Sequence, residues 1–282
     1  MSHQRINTHI RKRSGKGCVR VAGMRYLLEL FCNQFLNALR DPRRILGVIN
    51  KHRLCDYVYT QGLRLKYAAP WSHLAPSQLV LEGYDRIAEE YAGWTSRVQK
   101  EERARSISKL IEALPAGSEL LDLGCGTGIP TTKKLAKHFI VTGVDISAES
   151  VGRAQQNVPA AKFIHTDMMK LNFPQDRFDA VTAFYSIVHI PRREHSKLLE
   201  TIASWLRPGG LIAATMGTDS MEACFEQDWF GVPMYWSSFD SETNKRLFEE
   251  AGLRVIRAQT LTEEAFGKSI DFLWIIAQKP RQ

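Results

Sequence analysis

Apolar runs alternate with amphipathic stretches from Val80 to the end of the chain. The first stretch, LEGYDRIAEEYAGW, has its apolar and aromatic positions on one helical face and acidic residues opposite. The positions on that face are Tyr84, Ile87, Ala88 and Tyr91. A second helix is predicted from Ser106 to Leu114, where Pro115 and Gly117 end it.

Five apolar runs are then predicted strands: SELLDLG, FIVTGVD, AKFIHTD, DAVTAFYS and GLIAATMG. Helical stretches follow the first, second, fourth and fifth of them. Ser147 and Asp240 are predicted to cap two of these helices, Gly252 to end one, and RPGG to stop the helix before the fifth strand. Strands and helices that alternate in this way predict a parallel sheet with helices on both faces.

The chain ends in two more apolar runs, LRVIRAQTL and IDFLWIIAQK, with no helix between them. A parallel pair would need a crossover connection, so these two strands are predicted to pair antiparallel at an edge of the sheet. The predicted fold is therefore α/β and doubly wound, with a mostly parallel seven-stranded sheet and an antiparallel edge strand.

Residues 1–79 differ from the rest and are predicted to be a basic, partly helical extension of a domain that spans residues 80–282. Met24 to Arg40 has the pattern of an amphipathic or nearly all-round apolar helix. Three interpretations stay open for the extension: an appendage outside the working protein, a helix that packs on the domain or on a second subunit of a homo-oligomer, and a targeting or membrane-attachment segment.

Positive charge is concentrated in that extension. Residues 1–80 hold 14 Lys and Arg against 3 Asp and Glu, whereas the remaining residues hold 24 against 27. Enzymes that act on nucleic acids usually carry positive charge around the substrate cleft. No nucleic-acid partner is therefore expected.

Cysteine usage predicts reduced thiols in the cytoplasm and no metal site. The five cysteines are odd in number and widely scattered, with no CxxC pair; they are Cys18, Cys32, Cys55, Cys125 and Cys224. The sequence also lacks an apolar run of about eighteen residues, so no transmembrane segment is predicted.

A glycine-rich loop, LDLGCGTGIP, follows the first predicted strand. Its glycines, Gly124, Gly126 and Gly128, allow a sharp turn and close approach of a ligand to the backbone. The dinucleotide fingerprint GxGxxG would need its third glycine at the position of Ile129, so it fits poorly. The first three strands end in acidic residues, Asp122, Asp145 and Asp167, and a carboxylate after the second strand can accept hydrogen bonds from both ribose hydroxyls.

The chain from about residue 80 to 282 resembles the class I S-adenosylmethionine-dependent methyltransferases. The motifs that carry the resemblance are ELLDLGCGTG, VTGVDIS, AKFIHTDMMKLNFPQDRFDAVTAFYSIVHI and WLRPGGLIAATMG, in this order. The resemblance implies a seven-stranded sheet with an antiparallel strand at its edge, S-adenosylmethionine as cofactor and transfer of a methyl group to a small molecule.

The resemblance also implies roles for individual residues. Gly124, Gly126 and Gly128 would line the methionine part of the cofactor, Asp145 would hold the ribose, and Asp167 would accept from the adenine amino group. The full set of residues predicted to bind the cofactor is Tyr84, Tyr91, Asp122, Gly124, Cys125, Gly126, Gly128, Asp145, Ile146, Asp167, Met168 and Phe184. The alternative roles are a cap for Asp145, a turn for Asp167 and core packing for the two tyrosines.

Methyl transfer from a sulfonium is an in-line displacement that depends mainly on positioning. An acceptor with a hydroxyl or an acidic carbon also needs a base, and His189, just after the fourth strand, is the candidate catalytic residue. A structural role for His189 in its loop stays open. A non-catalytic cofactor-binding protein and an NAD-dependent oxidoreductase are the competing functions.

The segment WFGVPMYWSSFD, from Trp229 to Asp240, follows the fifth strand, and its Gly231 and Pro233 interrupt any helical or strand pattern. Two interpretations remain: core packing, and an apolar wall over a small, apolar or aromatic acceptor. Under the second, the residues predicted to bind the acceptor are Tyr185, Trp229, Phe230, Met234, Tyr235 and Trp236.

Overall fold

The computed structural model of this chain describes residues 73–95, 101–265 and 268–281. Most of the predicted extension, with its helix from Met24 to Arg40, lies outside these residues, and so do Cys18, Cys32 and Cys55. The roles of the extension and the boundary at residue 80 therefore stay predictions.

The described residues contain six α-helices and nine β-strands. The helices are α1 (Pro76–Thr95), α2 (Glu101–Ala113), α3 (Thr131–Leu135), α4 (Ala148–Asn157), α5 (His195–Trp205) and α6 (Ser241–Glu250). The strands are β1 (Glu119–Leu123), β2 (Ile140–Asp145), β3 (Lys162–His165), β4 (Phe178–Ala183), β5 (Leu206–Gly217), β6 (Met221–Trp229), β7 (Val232–Ser238), β8 (Arg254–Ala265) and β9 (Lys268–Gln278).

Seven strands form one sheet in the order β3-β2-β1-β4-β5-β9-β8. The pairs from β3 to β5 are parallel, and β9 is antiparallel to both of its neighbours. The antiparallel pair lies at the sheet edge, as predicted, and its inner member is the last strand of the chain. The doubly wound α/β prediction is confirmed.

The two predicted helix caps are present. The Ser147 side chain accepts from the Ser150 backbone N–H at 3.0 Å, and the Asp240 carboxylate accepts from the Thr243 backbone N–H at 2.9 Å. Gly252 has φ +81° two residues after α6 ends, which is the left-handed conformation typical of a helix terminator.

The helix stop at RPGG is confirmed, because α5 ends at Trp205, and β5 begins at Leu206 and includes RPGG. One local prediction was wrong. The aromatic segment is not irregular: β6 and β7 form a separate antiparallel hairpin. Phe230 and Gly231 turn the chain with φ +52° and +77°, and Pro233 is tolerated because the hairpin has only two strands.

Hydrophobic residues pack in three clusters. One cluster joins the sheet to α5 and α6, the second joins its other face to α2 and α3, and the third joins α1 to the β6–β7 hairpin. None of the described helices is long and apolar enough to cross a membrane. A cytoplasmic location stays a prediction.

Candidate cofactor and methyl-acceptor site

A cavity of about 390 Å³ opens at the carboxyl ends of β1, β2 and β4, under α1. Open parallel sheets bind ligands at this edge. The predicted site residues that line it are Tyr84, Tyr91, Asp122, Gly124, Cys125, Gly126, Asp145, Ile146, Asp167, Met168, Phe184, Tyr185 and His189. Among the residues that the structure describes, the cavity lining does not include Gly128 or the five predicted residues of the aromatic hairpin, which are Trp229, Phe230, Met234, Tyr235 and Trp236.

The three loop glycines have different neighbours, although all have positive φ. A Cβ at Gly124 would lie 2.3 Å from the Ser186 Cβ, so this glycine permits close approach of the loop after β4. A Cβ at Gly126 would meet nothing within 4 Å, which leaves its backbone open to a ligand. Gly128 instead packs on α4, where a Cβ would lie 3.1 Å from the Val158 side chain.

Asp145 links the glycine loop to the start of α4. Its two carboxylate oxygens accept from the Gly126 N–H at 2.8 Å and the Ser147 N–H at 2.9 Å. Burial raises the pKa of Asp145, while the two backbone N–H groups lower it and Asp122 raises it again. Each oxygen keeps a second lone pair, so the carboxylate can still accept from a ribose.

The Asp122 carboxylate connects three elements at the wall of the cavity. Its carboxylate accepts from the Thr132 hydroxyl at 2.6 Å and from the Thr182 hydroxyl at 2.7 Å. Burial raises its pKa, and these hydroxyls and Arg103 lower it. Its described hydrogen bonds hold β1 to β4 and to α3.

Asp167 begins a short 3₁₀ turn, Met168–Lys170, and accepts from the Met169 N–H at 2.9 Å. The turn role and the predicted adenine contact are compatible, because one oxygen makes this bond and the residue lines the cavity. Cys125 is buried beside the loop, and burial raises the pKa of its thiol well above the ordinary value. The thiol is therefore neutral at pH 7.

His189 joins α1 to the β6–β7 hairpin. Its Nδ1 lies 2.9 Å from the Tyr235 carbonyl oxygen, and its Nε2 lies 2.8 Å from the Tyr84 hydroxyl. A carbonyl can only accept, so Nδ1 carries the proton and Nε2 accepts from the Tyr84 O–H. The side chain is 6% exposed, and burial lowers its pKa to about 4. The imidazole is therefore neutral at pH 7 and has a fixed tautomer.

The comparisons with known proteins agree with this geometry. Residues 120–210 match a family described as a methyltransferase domain. The chain is 37% identical over 127 residues to the 27-O-demethylrifamycin SV methyltransferase of Amycolatopsis mediterranei, covering 42% of this chain and 46% of that protein. It is 27% identical over 219 residues to the demethylmenaquinone methyltransferase of Staphylococcus aureus, covering 66% and 86%.

A solved structure has the same fold: the 1,6-didemethyltoxoflavin-N1-methyltransferase of Burkholderia thailandensis, crystallised with bound 1,6-didemethyltoxoflavin and S-adenosylhomocysteine. It matches with a TM-score of 0.56 and 18% identity, over 77% of this chain and 93% of that one. Residues 120–210 therefore match a methyltransferase domain, and the fold around them is that of a solved methyltransferase. It spans about half the length of the rifamycin relative.

The aromatic hairpin packs against α1 and His189, which line the cavity. Met234 and Tyr235 are buried beneath α1, where a Cβ at Gly83 would lie 2.8 Å from the Met234 Cε. The Trp236 ring lies 4.3 Å from the His189 ring between centroids. These contacts support α1 and His189 from behind.

The tip of the hairpin continues this support. Phe230 packs edge-on against Tyr91 and Trp94 of α1, with centroid distances of 5.9 and 5.8 Å. Trp229 lies 5.0 Å from Trp236 between centroids. The structure therefore brings the hairpin residues to the wall behind the cavity, while their contact with an acceptor stays a prediction.

Sequence reasoning missed two residues near the cavity. Asp85 of α1 accepts from the Ser147 hydroxyl at 2.6 Å, which holds α1 to the start of α4. Arg103 of α2 lines the cavity and is only 6% exposed. The signal for Arg103 was present, because it shares a helical face with Ile107 and Leu110, where an apolar residue is expected.

Proposed function

We propose that this methyltransferase domain methylates a hydroxyl group on a small, apolar or aromatic acceptor. The observation that carries the proposal is the hydrogen bond from the Tyr84 hydroxyl to the neutral His189 at the wall of the cavity. The relative with 37% identity is named for a 27-O-demethyl substrate, which supports oxygen as the methylated atom.

The residues at the carboxyl edge fit S-adenosylmethionine. Gly126 leaves open space at its α-carbon, Asp145 has lone pairs for the ribose hydroxyls, and Ile146 and Met168 line the cavity for an apolar ring. When bound, the cofactor supplies a methyl group on a positively charged sulfur, a good leaving group. Positioning by the protein then contributes most of the rate, on the order of 7 to 11 kcal/mol for well-oriented groups.

The protein supplies the proton acceptor. As the acceptor oxygen forms its new bond, its proton passes to the Tyr84 oxygen, and the Tyr84 proton passes to His189 Nε2. The Tyr235 carbonyl holds Nδ1 throughout, so the imidazolium that forms donates to two oxygens. Burial raises the pKa of Tyr84 well above its ordinary value, with Tyr91 and Asp145 adding to this, so Tyr84 transmits a proton and does not remain ionised.

The apolar lining favours an apolar acceptor. Val80, Ala88 and Ala92 of α1 and Phe184 after β4 face the same cavity as the Tyr84 hydroxyl. A mostly apolar pocket with a few polar groups is the usual form of a small-molecule site. Apolar walls also exclude water, which would compete with the acceptor hydroxyl for Tyr84.

The test uses full-length protein, S-adenosylmethionine with a labelled methyl group, and a panel of phenols, quinols, aliphatic alcohols and amines. We expect labelled methyl ethers of aromatic or apolar alcohols by mass spectrometry. Label on amines alone would refute oxygen methylation. The absence of any labelled product, with S-adenosylhomocysteine still bound, would favour the non-catalytic cofactor-binding protein instead.

The variant Asp145→Ala tests the cofactor-binding part of the proposal. We expect S-adenosylhomocysteine to bind at least about tenfold more weakly by calorimetry, because a charge-assisted hydrogen bond typically contributes about 1.5 to 3 kcal/mol. Unchanged affinity would show that the ribose lies elsewhere. Tight binding of NADH by the wild type would contradict the assigned cofactor.

A further inference from the structure

A second cavity, of about 570 Å³, lies at the amino edge of the sheet, opposite the edge that holds the glycine loop. It is surrounded by the starts of β5 and β8, the end of β9 and the C-terminal end of α2. The end of β9 meets the starts of β5 and β8 because β9 runs antiparallel to both. The volume is that of a small-molecule site, and the proposed methyl transfer uses none of the residues that line it.

The RPGG turn, residues 207–210, fastens the residues after β9 at the wall of this cavity. The Gly209 N–H donates to the Lys279 carbonyl at 2.8 Å, and the Lys279 N–H donates to the Gly210 carbonyl at 2.9 Å. Gly209 has φ +85°, and a Cβ there would lie 2.8 Å from the Arg281 Nε. Glycine at this position therefore lets the Arg281 guanidinium lie close to the backbone in the cavity lining.

Positive charge predominates in the lining. Its four cations and two carboxylates are Lys109, Arg207, Arg257, Arg281, Glu112 and Asp179. Arg207 pairs with Asp179 at 2.6 Å, and Arg257 pairs with Glu102. The exposed side chains of Lys109 and Arg281 have no hydrogen bond or ion pair with any residue that the structure describes. These two cations are therefore open to an anionic group of a ligand.

Apolar side chains complete the lining, and Ile256 is the most exposed of them. At 51% exposure it is one of two large hydrophobic residues that are exposed in the described part of the chain. Ile256 is the extra residue of a β-bulge, because Val255 pairs with Ala277 and Arg257 pairs with Ile276. Bulges redirect side chains, and this one directs apolar surface into the cavity lining. A ligand that covered Ile256 would remove that surface from water, which is favourable.

We propose that this amino-edge cavity binds a small apolar carboxylate, whose acid group pairs with Arg281 and Lys109 and whose apolar body covers Ile256. A guanidinium matches a planar carboxylate in shape and charge. Glu112 and Asp179 in the same lining disfavour a ligand with more than one negative charge. The site lies at the opposite ends of the strands from the methyl-transfer cavity and does not depend on the proposed function.

The experiment titrates full-length protein, carrying carbon-13 at the isoleucine δ1-methyl groups, with naphthoate and with octanoate. We expect NMR shifts at Ile256 and Ile276, which line the amino-edge cavity, and smaller shifts at Ile129 and Ile146, which line the cofactor cavity. The amides of the two acids keep the apolar body and lose the charge. The acids should bind about fivefold more tightly than their amides, as expected for partly exposed charge pairs.

Substitutions then test the two cations. Lys109→Met combined with Arg281→Met should remove the preference for acids over amides, and both positions are exposed, so the fold should be retained. Glu112→Gln removes a nearby negative charge and should strengthen binding of the acids by about twofold. Lys197→Met is the matched control, because Lys197 is an exposed helical lysine at the wall of the cofactor cavity. It should leave the affinity for the acids unchanged.

The apolar contact has its own variant. Ile256→Thr keeps a β-branched residue in the strand and should weaken acids and amides alike by about threefold, because it removes apolar surface from the contact. Thermal melting checks the fold of every variant. If the double variant melts at a lower temperature than the wild type, Glu112→Gln decides the role of charge, since it leaves both cations in place.

Several results would overturn the inference. No shift at Ile256 and Ile276 with either acid means that the cavity does not bind this class of ligand. Equal affinity for acids and amides, or no change in Glu112→Gln, means that the cations do not recognise the carboxylate. Shifts confined to Ile129 and Ile146 mean that the acids bind in the cofactor cavity. Equal weakening by Lys197→Met and by the double variant means a general attraction to positive charge.

Discussion

Two walls of the cavity are built in different ways. The glycine-loop wall, residues 122–127 with Asp145, is held by short connections between neighbouring strand ends, such as Gly124 N–H to Val144 O at 2.8 Å. The covering wall, α1 with His189 and the β6–β7 hairpin, depends on contacts between distant residues. Tyr84 and His189 are 105 positions apart, and His189 and Tyr235 are 46 apart.

Under the proposed function, the difference separates cofactor binding from acceptor chemistry. The glycine-loop wall offers backbone N–H groups and a carboxylate, which suit a ligand of fixed structure. The covering wall offers a hydroxyl, an imidazole and apolar side chains, whose spacing follows from how one helix packs on one hairpin. Changes in the first wall should therefore affect cofactor binding, and changes in the second should affect turnover or the acceptor.

The largest expected effect contrasts two glycines within the first wall. Alanine at Gly124 or Gly126 costs about 1 to 2 kcal/mol for the left-handed backbone. Gly124→Ala also clashes with Ser186, so we expect a further loss of about 1 to 3 kcal/mol in the free energy of unfolding. Gly126→Ala should fold and bind S-adenosylhomocysteine poorly. Urea denaturation with calorimetry measures both, and equal stability of the two variants would contradict the contrast.

Tyr84→Phe tests whether the covering wall takes part in methyl transfer. It removes the hydroxyl that donates to His189, and under the proposed function we expect kcat to fall about hundredfold, within the range of general base catalysis. S-adenosylhomocysteine affinity should change by less than about threefold. A loss of affinity at constant kcat would instead mean that Tyr84 acts with the glycine-loop wall in cofactor binding.

The pH dependence of the free energy of unfolding tests whether His189 is buried in its neutral form. Its pKa is about 4 in the folded state, below the ordinary 6.5, so the unfolded chain binds the proton first as pH falls. His189 therefore contributes its full stability above about pH 6.5 and loses it progressively between pH 6.5 and 4. The stability difference between wild type and His189→Gln should shrink by about 2 kcal/mol from pH 7.5 to pH 5.

His195 also has a pKa lowered by burial, but it is present in both proteins and cancels in that difference. The measurement is urea denaturation of both proteins at each pH. A difference that stays constant with pH would mean that His189 is not buried in its neutral form.

Trp236→Leu should have the smallest effect. Trp236 contacts the His189 ring from behind, so its loss loosens the imidazole without removing a group from the cavity. We expect kcat to fall about threefold to tenfold, a small share of the contribution of a general base, with unchanged S-adenosylhomocysteine affinity. Steady-state kinetics with an acceptor found in the labelling panel checks this, and weaker cofactor binding would show that the two walls are coupled.

Sequence alone determined most of the fold and the glycine-loop wall. The alternation of strand and helix predicted the parallel sheet, and the carboxyl ends of parallel strands meet at one edge, so Asp122, the glycine loop and Asp145 had to meet there. The caps Ser147 and Asp240 followed from the preference of short polar side chains for helix starts. In each case the determining contacts lie close in sequence or follow from strand order.

Only the tertiary structure decided the covering wall. Periodicity placed Tyr84 on a helix and His189 after a strand, but a distance of 2.8 Å between them depends on how α1 lies over the sheet. The hairpin that holds His189 was hidden by Gly231 and Pro233, because a two-stranded ribbon accepts residues that a central strand excludes. Arg103 was missed for a similar reason: burial of a charge is set by its spatial neighbours, and sequence spacing does not name them.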